Sequence, residues 1–221
     1  MNLGEGYKYV QLKLAKDQFG GYVSPSEFNT ALEAFNLEFF NDYMKGYEAT
    51  QEYSDDLLPF VKTLGDNSNP AIDIDSYGYA PIPTDYVRYA RVNVYELDTT
   101  CEGSVKNRRM VEMLNNDKFG YRITDFYALT KRNPIGTIQN DQFYIQPTGF
   151  NKLELTYLRL PVTPVFGFTV TNGEVIYNPA TSTELEWPEQ THKDFFEGIV
   201  KYMAINLHSE FNVQTIDIEK P

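Results

Sequence analysis

An α+β fold is predicted: N-terminal helices and a C-terminal amphipathic helix packed with a central antiparallel, β-rich, sandwich-like region. Two observations predict it. Apolar residues recur at helical spacing near both ends, at Phe28, Ala31, Leu32, Phe35 and Phe39, and again at Phe195, Ile199, Tyr202, Met203 and Leu207. Between them the chain alternates apolar and polar residues, punctuated by the hairpin dipeptides Asn140-Asp141 and Asn172-Gly173.

The elements follow in order. Residues 7–18 form a short helix candidate with Val10, Leu14 and Leu12 as its apolar side, stopped by Phe19-Gly20-Gly21-Tyr22. Ser24, Pro25 and Glu27 make a capping box with its proline at the first helical position. The helix they open weakens at Gly46, and residues 48–58 continue it for a turn or two until Pro59. Residues 65–70, Gly-Asp-Asn-Ser-Asn-Pro, are a loop by composition. Residues 71–75 alternate like a half-buried strand, and Ser76-Tyr77-Gly78 turns it. Residues 85–89 read as a helical turn capped by Thr84, and 91–97 as a strand with Val92, Val94 and Tyr95 on its core face. Residues 98–118 are ambiguous, with helical spacing at Val105, Met110, Val111 and Leu114. Residues 135–139 and 142–146 form a hairpin, 152–160 a strand, 166–170 and 174–177 a second hairpin, and 183–187 a last short strand. The closing helix follows Pro188, and 212–221 is a short, partly extended tail. This order divides the chain into a helical region, 1–65, a β-rich core, 66–188, with an insertion around 98–132, and a closing helix and tail, 189–221, packing with 1–65.

Composition narrows the function. The formal charge of −12 argues against a free nucleic-acid-binding domain, which carries a basic stripe, and against an anionic membrane partner. A negative wall would also let DNA slide past without sticking. Seventeen Tyr and fifteen Phe suit half-buried surfaces such as subunit contacts, and suit β positions equally. Cys101 is the only cysteine, so no intrachain disulfide forms, which fits a reducing cytoplasm. Residues 1–6 carry no basic region leading into an apolar run, so a signal peptide is not expected. No apolar stretch approaches the roughly 18 residues that span a bilayer.

Catalytic patterns are sparse. The chain has no P-loop, no dinucleotide fingerprint and no Gly-x-Ser-x-Gly elbow. His192 and His208 lie sixteen residues apart on the closing helix, about 24 Å along its axis and too far to share a metal. His192, in the first turn, reads as a solvated face residue. Asp66, Asp73 and Asp75 lack the further ligands of a calcium loop. Asp55-Asp56 and Glu184/Glu186 are the acid pairs that a glycosidase would need, and read as solvated carboxylates. Trp187 reads as a core anchor. No catalytic, cofactor or metal residue is assigned. Candidate protein-interface residues are Phe211, Val213, Ile216 and Ile218, apolar positions in the tail that suit addition to a neighbour's sheet edge. The basic cluster Lys106, Arg108 and Arg109 reads as a solvated helix face, or as a dock for an acidic neighbour or for phosphate.

Three segments carry a resemblance. Ser24-Pro25-Ser26-Glu27-Phe28-Asn29 through Glu38-Phe39-Phe40-Asn41, with Asp55-Asp56-Leu57-Leu58-Pro59-Phe60, looks like structural proteins of phages infecting gut Bacteroidetes, including neck ring proteins of the crAss-like phages. Gly78-Tyr79-Ala80-Pro81-Ile82-Pro83-Thr84-Asp85-Tyr86-Val87-Arg88 resembles a step of those proteins and of head-to-tail adaptors. Lys152-Leu153-Glu154-Leu155-Thr156-Tyr157-Leu158-Arg159-Leu160-Pro161, then Leu185-Glu186-Trp187-Pro188-Glu189 and the closing helix, is similar to the ring-forming adaptor (tail tubular protein A-like) of short-tailed phages. The resemblance covers most of the chain as an order of short fragments and leaves out 98–132. It implies a structural virion protein of the neck or tail, assembled in the host cytoplasm. About twelve copies would form a ring by self-association, binding the portal protein on one side and adjacent tail or ring proteins on the other. DNA would pass through the lumen without sequence-specific binding, and no cofactor or membrane is implied. The alternatives are a receptor- or glycan-binding tail component and a carboxylate-based hydrolase.

Overall fold

A computed structural model describes residues 1–14, 23–47, 49–66, 68–98, 104–124 and 130–204. It divides into two units: residues 1–59 with 161–221, and residues 60–160. The divisions fall at Pro59 and Leu160, where the sequence places them in the 65–70 loop and at 188.

The first unit is helical, with one hairpin. Helix α1 spans Leu3–Leu14. It begins before Tyr7 because Asn2 and Glu5 cap each other: the Glu5 amide donates to Asn2 Oδ1 at 2.8 Å, and the Asn2 amide to Glu5 Oε2 at 3.1 Å. Leu3, Tyr7, Val10 and Leu14 are buried, while Leu12 points outward at 59% exposure. Gly6 lets a ring approach closely, since a Cβ there would sit 2.1 Å from Phe196 Cζ. Helix α2, Pro25–Gly46, opens on the expected box: the Glu27 amide donates to Ser24 Oγ at 3.3 Å, and the Ser24 amide to Glu27 Oε2 at 2.7 Å. Phe28, Ala31, Leu32, Asn36 and Phe40 are buried, and Phe35 and Phe39 are half-buried beside them. After Gly46 the chain restarts as α3, Gln51–Asp56, capped by Thr50, and does not prolong α2.

A 3₁₀ turn at Glu189–Thr191 leads into α5, residues 192–204. Its inward side chains are Phe195, Phe196, Ile199 and Met203. Phe195 packs edge-on to Phe35 at 5.3 Å and to Phe39 at 5.4 Å. Trp187 is 3% exposed, as a core anchor should be, and its Nε1 donates to Asn36 Oδ1 at 2.9 Å. The strand expected over 183–187 is absent among the described residues; Thr183 makes only a bridge to Val165. The hairpin β10 (Phe168–Thr171) and β11 (Glu174–Tyr177) forms as expected, turning on Asn172 and Gly173, both at positive φ.

The second unit is a sandwich of two sheets. The first runs β1 (Val61–Leu64), β9 (Lys152–Arg159), β4 (Tyr86–Asp98), β5 (Ser104–Met110), all antiparallel, with β2 (Ile72–Asp73) also on β9. The second runs β3 (Tyr79–Pro81), β8 (Gln142–Gln146), β7 (Ile135–Gln139), β6 (Glu112–Met113). Val92, Val94, Leu153, Leu155 and Tyr157 of the first sheet share one core with Ala80, Phe143 and Ile145 of the second. Asn140 and Asp141, at φ 48° and 57°, make the tight turn of the β7–β8 hairpin. Gly78, at φ +94°, turns between β2 and β3.

One expectation fails in this unit, and an ambiguous stretch resolves. Residues 86–89 belong to strand β4, and are not a helical turn. The ambiguous stretch resolves, over 104–110 and 112–113, into strands rather than the helix its spacing allowed; β5 takes its hydrogen bonds from β4, and β6 lies parallel to β7. Helical spacing over 105–114 is a weak preference that the exposed edge of β4 overrides. Within the 98–132 stretch, the described residues supply an edge to each sheet, β5 and β6, followed by α4, Asn116–Thr124.

Candidate functional site

The densest charged group lies on the outer face of the first sheet of the 60–160 unit. Strand register sets it. Tyr157, Leu155 and Leu153 of β9 turn to the core, which sends Thr156 and Glu154 outward. Opposite them stand Arg91 and Asn93 of β4, and Arg88 pairs with Leu158 on the same face. Arg108 arrives from β5. The Glu154 side chain is only 4% exposed. It accepts from Arg108 Nη2, and from Asn93 Nδ2 at 3.2 Å, with Arg91 Nη2 at 3.5 Å. Two cations around one carboxylate satisfy its burial, because an unpaired buried charge is strongly destabilising. The two arginine side chains remain 55% exposed.

A second polar group ties strands together. Tyr157 donates its hydroxyl to Asp85 Oδ1 at 2.7 Å, and Lys62 Nζ donates to Asp85 Oδ2 at 3.0 Å. Burial opposes the Asp85 charge, but the bonds from Tyr157 and Lys62 prevail and hold its carboxyl below the usual range. Burial, then the Asp85 bond, push the Tyr157 phenol up, and the Lys62 amine is raised by its bond to Asp85. The Tyr157 ring is fully buried, so the group acts as a clasp joining β1, β9 and the start of β4.

The hairpin of the other unit carries exposed apolar side chains. Phe166 stacks on Phe168 at 6.1 Å and on Tyr177 at 5.8 Å, anchoring its base. Val170 is 62% exposed and Ile176 47%, and at the base Phe168 is 41% exposed. No third strand joins this pair among the described residues. A cleft of about 420 Å³ between α1 and β11 is lined by Glu5, Lys8, Glu174 and Tyr177.

The structure treats the sequence candidates unevenly. Arg108 and Arg109 are exposed on edge strand β5 and not on a helix, and Lys106 shares that strand. Phe211, Val213, Ile216 and Ile218 lie outside the described residues, as do His208 and Cys101. His192 is a correction: it is 8% exposed, with Nδ1 and Nε2 each 2.8 Å from a carbonyl oxygen, of Met1 and of Trp187. The turn ahead of α5 aims it inward. The acid pairs hold the chain together. Glu184 accepts from the Leu3 amide, Glu186 from the Val162 amide, and buried Asp56 from Gln190. Asp66 and Asp75 cap loop amides, and Asp73 pairs with Lys152. Among the described residues no group of three or more His, Cys, Asp or Glu is placed to hold a metal. Nor is any helix among them long and apolar enough to cross a membrane. Sequence reasoning missed Glu154 and Arg91. The available signal was the acid at position 154, flanked by Leu153 and Leu155 within the strand.

No protein-family model matches this chain, and no curated protein matches it.

Proposed function

We propose that this chain is a structural virion protein of a tailed phage, assembled in the host cytoplasm. Copies of it form an oligomeric ring in the head-to-tail connector, joining portal to tail while DNA passes through. The observation that carries the reading is the β10–β11 hairpin, a two-stranded sheet with Phe168, Val170 and Ile176 exposed. Isolated hairpins of this kind are marginal in water, and exposed apolar side chains around an open strand edge are what a neighbouring subunit covers. The resemblance in fragment order to ring-forming connectors supports the same reading.

Native mass spectrometry of the purified chain, alone and mixed with the portal protein of its phage, tests it. A closed ring in either condition is the expected result. A chain that stays monomeric in both overturns it.

A further inference from the structure

Charge is divided between the two units with unusual sharpness. Residues 60–160 hold twelve Lys and Arg against twelve Asp and Glu, and so balance at zero. They include all seven arginines of the chain. The remainder holds seven Lys against nineteen Asp and Glu, a balance of −12 that accounts for the whole net charge. One copy therefore carries both halves of an electrostatic contact, on different units.

The arginine side is built for docking. Arg88, Arg91 and Arg108 share the outer face of the first sheet. Buried Glu154 holds two of them in place from beneath, which lowers the entropy lost when they bind. Each guanidinium has five N–H donors in a rigid fork, and one carboxylate shared between two of them leaves several for a partner's carboxylates. The acidic side is dense on α2 and α3. Glu38, Asp42, Glu52 and Asp55 are exposed there. Burial first, then the nearby Asp56, Asp194, Tyr53 and Glu52, pushes the Tyr43 phenol on α2 up to about 12.

We infer that the arginine face of one copy docks on the acidic α2–α3 surface of a second copy. The occupant is this chain itself because it supplies the complementary charge. Such a contact uses a different patch on each partner, so every copy offers one of each and the contact repeats around a ring. The inference rests on the ring reading and names the contact that would build it.

Two variants test it without touching Glu154 or Arg108. Arg88→Glu/Arg91→Gln removes the basic side, and Glu52→Lys/Asp55→Lys removes the acidic side. All four residues are exposed. Assembly is read by native mass spectrometry and light scattering, with portal protein present, after thermal melts have established that each variant folds. Wild type is expected to assemble and to weaken about tenfold or more in about 0.5 M salt. Each variant alone is expected to assemble about tenfold more weakly than wild type. An equimolar mixture of the two should recover assembly, since each then meets an opposite charge on the other. A variant defective through misfolding would not be rescued. Assembly by both variants at wild-type strength, or a salt-insensitive wild type, overturns the contact and leaves the ring reading standing. Wild type that stays monomeric with portal overturns both.

Discussion

Single residues do their work here by satisfying buried polar groups. Trp187 and Asn36 are a clear pair: the indole N–H meets the Asn36 side-chain oxygen, and the Asn36 side-chain amide reaches the Val162 carbonyl at 3.3 Å. Trp187→Phe keeps a large ring but strands that oxygen. It is expected to lower stability by about 1–3 kcal/mol in urea denaturation. Asp85 makes a pH prediction. Its folded-state pKa lies below the unfolded value of about 3.9. The stabilisation it contributes is therefore complete above about pH 4 and is lost as pH falls through the folded value. Glu27, lowered by its bonds to Ser24, adds to the same acid limb. Lys62 is raised, so its share persists below about pH 10 and fades as pH rises through its folded value. Asp85→Asn should cost about 1 kcal/mol at neutral pH, discounted for partial exposure. It should also flatten the loss of stability as pH falls below about 4, measured by denaturation at a series of pH values. An unchanged acid limb would count against the clasp.

At the scale of elements, the hairpin β10–β11 separates folding from assembly. Its base is held by Phe166, while Val170 and Ile176 lie in solvent. Val170→Lys/Ile176→Lys should shift stability by no more than about 0.5 kcal/mol per site, as surface changes do. The same variant should abolish or strongly weaken higher-order species in light scattering. If it unfolds the chain, the hairpin belongs to the core. This element was legible in advance because Asn172-Gly173 specifies its own turn from two residues. The Ser24–Glu27 box was legible for a like reason: both partners lie within one helical turn. Strand β5 was not legible. Val105, Met110, Val111 and Leu114 satisfy a helical period, and nothing local reveals that Asn93, Val94 and Glu96 await partners.

For the whole molecule, the chain enters and leaves the 60–160 unit on neighbouring strands, β1 and β9, where Val61 pairs with Leu158. An excursion that begins and ends at one place, with its own sandwich core, has the anatomy of an inserted domain. A fragment of residues 60–160 is expected to fold alone, with dispersed amide NMR signals and one cooperative thermal transition. A collapsed or unfolded fragment would show instead that its sheets need the remaining chain. The same division locates the charge: an acidic helical unit and a balanced, arginine-bearing sandwich.

By itself the sequence determined what neighbours along the chain can decide. That includes the α+β class, the capped helix α2, the Phe195, Ile199, Met203 stripe, the two tight hairpins and the core role of Trp187. These depend on caps, turns and periodicity, whose partners lie within a few residues. Only the tertiary structure decided that 86–89 and 104–110 are strands, that His192 turns inward, and that 161–188 belongs with the helices. It alone brought Arg91 and Arg108 to Glu154, the latter pair 46 residues apart in sequence. Strand register decides such meetings, and register is set by which faces a sheet buries, a property of the assembled core.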